Sequence, residues 1–419
     1  MRGLRIPGTL LVAAIIASAC STGGAGRPGP IEVGAVYPTS GPDASAGRDE
    51  LRGVRLAADF VTADGGVAGR SIALRAVDTP GIDAVPGAID ELRRGGIGLV
   101  LGSNGSEISA SAASDAFRHG MLFWETGAVG EMSGDASGRL AFKIAPSGLV
   151  LGGAGISFIA DQMASRLHRD PTSLRYAVVN VTDRYGTAVA SGALQEIARR
   201  HLDLVGRFRY SAAGIDPPSL VGQIAAVHPD VLFVASYIPD GVALNRELAR
   251  QRVPLLANIG TSSSYCMPEF GDLLGGVAVG TFATDKPDGD ALNEQGLTPE
   301  GRALLHRAQA TYRARYHGDM SAPALAGFSA AWALFHDVLP HAASADPDDV
   351  AAAALRIRLR MGSLPNGSGL ELSGPGTAQP GSNLLALSVI WEWVGVRQRV
   401  VVWPPRYATH PIRALPLAV

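Results

Sequence analysis

Three loops rich in Ser, Thr and Gly carry polar groups that could bind a small anion. They span residues 39–47, 103–106 and 125–129, and each follows a short apolar run. Backbone N–H groups in such a loop, next to the N-terminus of a helix, attract a carboxylate or a phosphate. The same Gly and Ser residues also form ordinary turns and helix caps, so the pattern alone leaves both roles open.

Patterns of common catalytic and metal sites are missing from the sequence. There is no Gly-x-Ser-x-Gly elbow, no phosphate-binding Gly-x-x-x-x-Gly-Lys-Ser/Thr loop and no His-Glu-x-x-His pair, and the nine His residues have no ligand spacing. The Gly-rich run at 95–98 precedes a strand, whereas a dinucleotide fingerprint follows one. We therefore expect no enzyme activity, no cofactor and no metal, with Cys266 as a small packing residue.

The elements that must position these loops alternate between strand and helix. Strands are predicted at 31–37, 71–78, 97–102, 121–124, 176–181, 231–236, 254–257 and 276–281. Helical periodicity fills most of the intervening stretches, which is typical of parallel sheets covered by helices on both faces. Three further helices are predicted at 299–316, 322–339 and 348–360, followed by strands at 369–372, 387–393 and 397–403.

Length and composition favour two lobes. The chain has 419 residues, of which 47% are hydrophobic and 18% charged, and its formal net charge is -2. These values are typical of a globular α/β protein and give no indication of a nucleic-acid partner. We predict an α/β fold of two doubly wound parallel-sheet lobes joined by a hinge. Lobe 1 would comprise 31–147 plus 283–363 and lobe 2 would comprise 148–282 plus 364–419, with crossings near Ser147, Ala283 and Ser363.

The first 30 residues resemble the export signal of a bacterial lipoprotein. A basic start and an apolar run at 1–19 lead into Ala17-Ser-Ala-Cys20, which resembles a lipobox although Ala17 stands where Leu is usual. This resemblance implies that Cys20 is acylated and anchors the chain to the membrane. Residues 20–30 are rich in Gly and Pro and would form a tether.

Motifs along most of the chain after residue 30 resemble the branched-chain amino acid binding proteins of ABC transporters, which have the type I periplasmic binding fold. The motifs occur in the order and spacing of that family, and they are the segments 38–42, 65–70, 102–106, 126–129, 183–186 and 237–240. The resemblance implies a binding protein without catalytic residues.

The same resemblance implies the ligand contacts. A Ser and small-residue backbone would hold an amino acid's carboxylate in lobe 1, here at Ser106, Ala128 and Val129, with Thr126 in the same motif. Tyr185 and Tyr237 would close over the ligand from lobe 2.

Two positions depart from the family. Its acid for the ligand's ammonium group falls at Ile259, and the Tyr of its first loop falls at Ala46. An ammonium group buried without an acceptor is costly. Either another acid replaces it, with Glu125 beside Trp124 as first candidate and Glu107 as second, or the ligand has no ammonium group.

We therefore expect an exported, lipid-anchored solute-binding protein on the extracytoplasmic side of the membrane. It would capture a small amino-acid-like ligand between its lobes and deliver it to the permease of an ABC importer. Two alternatives stay open: a ligand-sensing receptor lobe pair, and a binder of a small amide, urea or carboxylate.

Lipidation can be tested directly. Mass spectrometry of the membrane fraction should find diacylglyceryl-modified Cys20 as the N-terminal residue, because the apolar run ends at that lipobox. A mature chain that is freely soluble and begins elsewhere would contradict this prediction.

Overall fold

The computed structural model describes residues 29–132, 136–289 and 291–413. The predicted signal peptide, Cys20 and most of the tether lie outside the described residues. Two sheets form the centres of two lobes within the described ranges.

The strands and helices have the following bounds. The strands are β1 Ile31–Tyr37, β2 Ile72–Asp78, β3 Leu99–Gly102, β4 Leu122–Glu125, β5 Ala141–Lys143, β6 Arg175–Val181, β7 Asp203–Tyr210, β8 Val231–Ala235, β9 Ala257–Thr261, β10 Phe282–Asp285, β11 Arg358–Leu359, β12 Leu370–Glu371, β13 Val389–Gly395 and β14 Gln398–Trp403. The α-helices are α1 Ala44–Ala63, α2 Val85–Arg94, α3 Ser106–Arg118, α4 Gly148–Phe158, α5 Ala164–Arg166, α6 Arg184–Arg199, α7 Pro217–Ala226, α8 Ile238–Gln251, α9 Pro268–Leu274, α10 Pro299–Tyr316, α11 Ala322–Trp332 and α12 Pro347–Ala354.

Both sheets are built mainly from parallel strands. The first has the order β2-β1-β3-β4-β5 and is entirely parallel. The second has the order β14-β13-β10-β9-β8-β6-β7, in which β13 and β14 form a hairpin that pairs antiparallel with β10. A short β11–β12 pair stands apart. The predicted fold class of parallel-sheet α/β lobes is confirmed.

Two strands of the second sheet lie later in the chain than predicted. The segment predicted as a strand at 276–281 contains a 3-10 turn, Gly275–Ala278, and the strand begins at Phe282. Val277 and Val279 are 41% and 38% exposed, so these apolar residues belong to a surface turn. The strand predicted at 254–257 corresponds to β9, which spans Ala257–Thr261. Because β10 also begins later than predicted, it extends to Asp285, past the predicted lobe boundary at 282/283.

The C-terminal helices cover the first sheet. Helix α11 packs along α1, where the rings of Phe60 and Phe328 meet edge to face with centroids 5.6 Å apart. Helix α12 contacts β4. The stretch Ala322–His341, which begins with α11, is long and apolar enough to cross a membrane by composition, but 78% of its most apolar window is buried inside the protein. Burial of this kind is what a core helix requires.

Close packing of α1 on α11 depends on Gly53. A methyl group at this position would overlap the Ala324 carbonyl oxygen and lie 2.7 Å from the Phe328 nitrogen, both in the backbone of α11. Gly53→Ala should therefore lower the free energy of unfolding by about 1–3 kcal/mol, the usual cost of overpacking. Urea denaturation measures this loss.

Gly222→Ala is the matched control, because Gly222 lies in helix α7 with open space around an added methyl group. This change should be neutral or stabilise by up to about 1 kcal/mol through helix propensity. Equal effects of the two substitutions would contradict the packing interpretation.

Candidate ligand-binding site

The candidate site lies where the carboxyl ends of the two sheets face each other. Arg184, the first residue of α6, places its Nε 3.2 Å from Oε2 of Glu107 in α3. Its Nη1 also donates to the backbone oxygen of Glu131, 3.3 Å away. Ligands of open α/β sheets bind beyond the carboxyl ends of the strands, so the space between the lobes is the expected location.

Ser106 faces this space together with the loop after β4. It is the first residue of α3, and its Oγ accepts a hydrogen bond from the amide of Gly130, 2.9 Å away. The first amide groups of a helix have no acceptor within the helix. The neighbouring Val129 amide also has no acceptor among the described residues. Ser106 and Val129 are therefore brought together with several hydrogen-bond donors.

The loop between Thr126 and Val129 is held by buried charged groups. Glu125 Oε1 accepts hydrogen bonds from the amide of Gly127 at 2.7 Å and from the amide of Ala128. Lys143 Nζ donates to the Ala128 oxygen at 2.6 Å and lies 3.2 Å from Glu125 Oε2. Lys286 Nζ donates to the Gly127 oxygen at 2.6 Å. Both peptide N–H groups and both carbonyl groups of this dipeptide are therefore bound to charged side chains.

The position of Glu125 argues against the predicted contact with a ligand's ammonium group. Its side chain is 0% exposed, and both carboxylate oxygens are occupied by protein donors. Burial raises the pKa of Glu125, while the charge of Lys143 and the two amide donors act in the opposite direction. The Ala128 amide is likewise occupied by Glu125, so it does not offer its N–H to a ligand carboxylate.

Thr126 faces the interior of lobe 1. Its hydroxyl donates to Glu50 Oε1 at 2.5 Å, and since that uses its only proton, the Tyr37 hydroxyl donates to Thr126 at 2.6 Å. Burial, followed by the charge of Glu125, raises the pKa of Glu50 to about 8. Thr126 thus links the cleft loop to helix α1 and strand β1.

Trp124 belongs to the core, which corrects its prediction as a ligand contact. The side chain is 0% exposed, and its indole N–H donates to the Ala330 oxygen at 2.8 Å. Trp124 is the residue before the last in β4, and successive side chains of a strand point to opposite faces of the sheet. The side chain of Trp124 points to the face covered by α11. There it packs against Phe142, with ring centroids 5.9 Å apart.

Tyr185 and Tyr237 form a pair on the lobe 2 side. Their ring centroids lie 5.3 Å apart. The Tyr185 hydroxyl lies 2.6 Å from Thr261 Oγ1 and accepts from the Ser263 amide at 3.2 Å, and burial raises its pKa to about 12. The Tyr237 hydroxyl donates to Asp183 Oδ2 at 2.6 Å, while 38% of the residue stays exposed. Tyr237 therefore presents a fixed aromatic surface to solvent.

Neither of the other two positions considered for the ammonium acceptor presents an unpartnered carboxylate. Ile259 is a central residue of β9, and its side chain is buried in the apolar core of lobe 2. β9 reaches the carboxyl edge of the sheet at its last residue, Thr261. Glu107, the second candidate, is paired with Arg184.

Sequence reasoning missed the two lysines of the site. Lys143 and Lys286 are the only lysines in the sequence, and every other basic side chain apart from histidine is an arginine. Each lies at or directly after the end of a strand, β5 or β10. A compact ammonium group can bind a single carbonyl in a buried space that would not hold a planar guanidinium. The use of lysine at only these two positions was the signal in the sequence that could have identified them.

Acidic, Cys and His side chains give no sign of a metal centre in the ranges 29–132, 136–289 and 291–413. No group of three or more of them is arranged to hold a metal ion there. Cys266 is buried, with its Sγ 2.7 Å from Asp285 Oδ2, and burial raises the pKa of its thiol well above the ordinary value. A protonated, buried thiol is a poor nucleophile.

Replacing Glu125 separates a structural role from ligand binding. Glu125→Gln leaves Lys143 buried without a counter-charge, so the free energy of unfolding should fall by about 3–5 kcal/mol in urea denaturation. Glu107→Gln is the control, because Glu107 is 50% exposed and its ion pair should contribute less than about 1 kcal/mol. A Glu125→Gln protein with unchanged stability and lost amino-acid binding would restore the predicted ligand contact.

Comparison with known proteins finds a family and relatives to which this chain is similar. A family model described as periplasmic binding protein matches residues 30–369. The Leu/Ile/Val-binding protein homolog 8 of Brucella abortus is 24% identical over 347 residues, which cover 81% of this chain and 84% of that protein. Homolog 7 of the same organism is 26% identical over 266 residues, covering 62% of this chain and 66% of that protein.

Solved structures share the fold. A leucine binding protein from Thermotoga maritima aligns with a TM-score of 0.71 at 14% identity, covering 88% of this chain and 97% of that chain. A branched-chain amino acid transporter substrate binding protein from Streptococcus pneumoniae, in complex with isoleucine, aligns with a TM-score of 0.67 at 15% identity, covering 90% and 100%. With the family match over most of its length, the chain belongs to the periplasmic binding protein family and has its type I fold.

Proposed function

We propose that this protein captures a small amino-acid-like ligand between its lobes and delivers it to an ABC importer. Relatives are named as Leu/Ile/Val-binding proteins, and one structural neighbour is described in complex with isoleucine. The periplasmic binding protein family consists of solute-binding proteins, so the protein acts outside the cytoplasm and performs no chemistry on its ligand. Acylation of Cys20 would hold it at the membrane.

The observation that carries this proposal is the group of donors around Ser106. The Ser106 hydroxyl, the start of α3 and the Val129 amide converge at the cleft. Hydrogen bonds from such groups, together with the positive end of the helix dipole, favour a carboxylate. The Tyr237 ring, fixed by Asp183 on the opposite lobe, would cover the apolar part of the ligand.

A neutral amide, a urea or a simple carboxylate is the second candidate class. Glu125 is fully occupied inside lobe 1, and Glu107 is paired with Arg184. Both acids predicted to accept an ammonium group therefore already have partners within the protein. A ligand without an ammonium group would need no such acceptor.

A thermal-shift screen against amino acids, amides, ureas and small carboxylates tests this proposal. A ligand at about 100 times its Kd should stabilise the protein by about 2.7 kcal/mol and raise Tm, without being converted. Solution scattering with the same ligand should show a smaller radius of gyration, because the lobes close around it. Ligand turnover would contradict the proposal, as would a screen in which no compound stabilises the protein.

The carboxylate subsite is tested by Ser106→Ala. Loss of a hydrogen bond to a charged group costs about 1.5–3 kcal/mol, so calorimetry should show affinity about tenfold to 150-fold weaker. Ser165→Ala is the control, because that residue is exposed and its hydroxyl bonds only to the backbone oxygens of Asp161 and Gln162. Equal affinity in the two variants would remove Ser106 from the site.

A further inference from the structure

Glu50 is a buried carboxyl group directly beneath the cleft loop. It belongs to helix α1, is 0% exposed, and receives one hydrogen bond, from Thr126 to Oε1. Its Oε2 has no hydrogen-bond partner among the described residues. A methyl group added at Gly127 would overlap Oε2, so the carboxyl group fills the space where a side chain at 127 would lie.

Four titratable groups from different elements face Glu50. Tyr37 comes from β1, Glu125 from β4, Lys143 from β5, and Lys286 from the segment after β10. Helix α11 packs on the backbone of Glu50 through a glycine and carries no titratable side chain. The cluster therefore contains two acids and two ammonium groups, on residues that are at most 8% exposed.

Of the two acids, Glu50 is the one that binds a proton. Every partner of Glu125 is a donor, namely two amide groups and the Lys143 ammonium, and donors stabilise the ionised form. Glu50 has one donor, and its second oxygen is free to carry a proton. Burial and the charge of Glu125 raise the pKa of Glu50 to about 8, in agreement with this assignment.

We propose that Glu50 is a proton-binding positioning residue that couples anion capture at the Gly127–Val129 loop to pH. With Glu50 protonated, the cluster holds two ammonium groups against one carboxylate, and this excess positive charge favours an anionic ligand group at the outer face of the loop. Ionisation of Glu50 cancels the excess. The part concerning ligand affinity rests on the proposed function; the part concerning protonation does not.

The direction of the pH effect follows from linkage. A bound anion favours protonated Glu50, so the complex binds more protons than the free protein in the range where Glu50 titrates. Affinity for a carboxylate ligand should therefore fall as pH rises through about 8, by at most about tenfold per pH unit for one proton.

The two lysines provide a ligand-free measurement of this protonation. The full chain labelled with 13C at the lysine ε-carbons should give two side-chain resonances, because the sequence contains only Lys143 and Lys286. Between pH 6 and pH 9.5 both resonances should shift with a common midpoint near 8, the pKa of Glu50. In Glu50→Gln, which mimics the protonated form, that inflection should be gone.

Wild-type resonances that show no common inflection in this range would overturn the proposal, and so would an inflection that survives in Glu50→Gln. If Glu50→Gln does not fold, Thr126→Val serves instead. Loss of the Thr126 donor should move the midpoint upward, and an unmoved midpoint would contradict the assignment to Glu50.

Calorimetry with L-leucine as the probe tests the coupling to ligand. Affinity should weaken several-fold from pH 7 to pH 9 in the wild type and stay constant in Glu50→Gln. If affinity depends on pH equally in the wild type and in Glu50→Gln, the coupling between Glu50 and the ligand is overturned. If wild-type protein does not bind L-leucine at any pH, that result counts against the proposed ligand class, while the lysine resonances still decide the role of Glu50.

Discussion

The geometry of the cleft depends on one buried interaction, in which charged side chains hold the Gly127–Ala128 backbone. Glu125 accepts hydrogen bonds from both amide groups, and Lys143 and Lys286 each donate one to a carbonyl group. All four backbone polar groups of this dipeptide are therefore fixed. The charges come from β4, from β5 and from the segment after β10. The loop can therefore take this shape only when the first sheet and the segment after β10 are both in place.

This interaction separates the groups that orient the site from those that face the ligand. Glu125, Lys143 and Lys286 lie beneath the loop with 0%, 1% and 8% exposure, where removal of Glu125 would leave Lys143 without its counter-charge. Ser106, the Val129 amide and Tyr237 lie on the cleft side. A rigid loop with fixed donors lowers the entropy lost when a small ligand binds.

The sequence predicted the order of elements and the loops that form the cleft, because apolar periodicity and Gly-rich strand ends are local signals. It could not give the direction of side chains at a strand end. Glu125 and Trp124 were both placed in the cleft, yet one turns under the loop and the other into the core. The edge strand β7 was also missed; its residues are exposed or half-buried, so it lacks the continuous apolar run that marked the central strands. The valines of a surface turn, Val277 and Val279, resembled a strand, so β10 was predicted too early in the chain.

Calorimetry with a matched pair of ligands tests the central claim, that the fixed loop and Ser106 bind a carboxylate. The pair is the amino acid that stabilises the protein most and the same amino acid with its carboxylate converted to an amide. We expect the amide to bind at least about tenfold more weakly, because a charged hydrogen bond contributes about 1.5–3 kcal/mol. Equal affinity for the two compounds at neutral pH would show that the loop does not bind a carboxylate and would contradict the account.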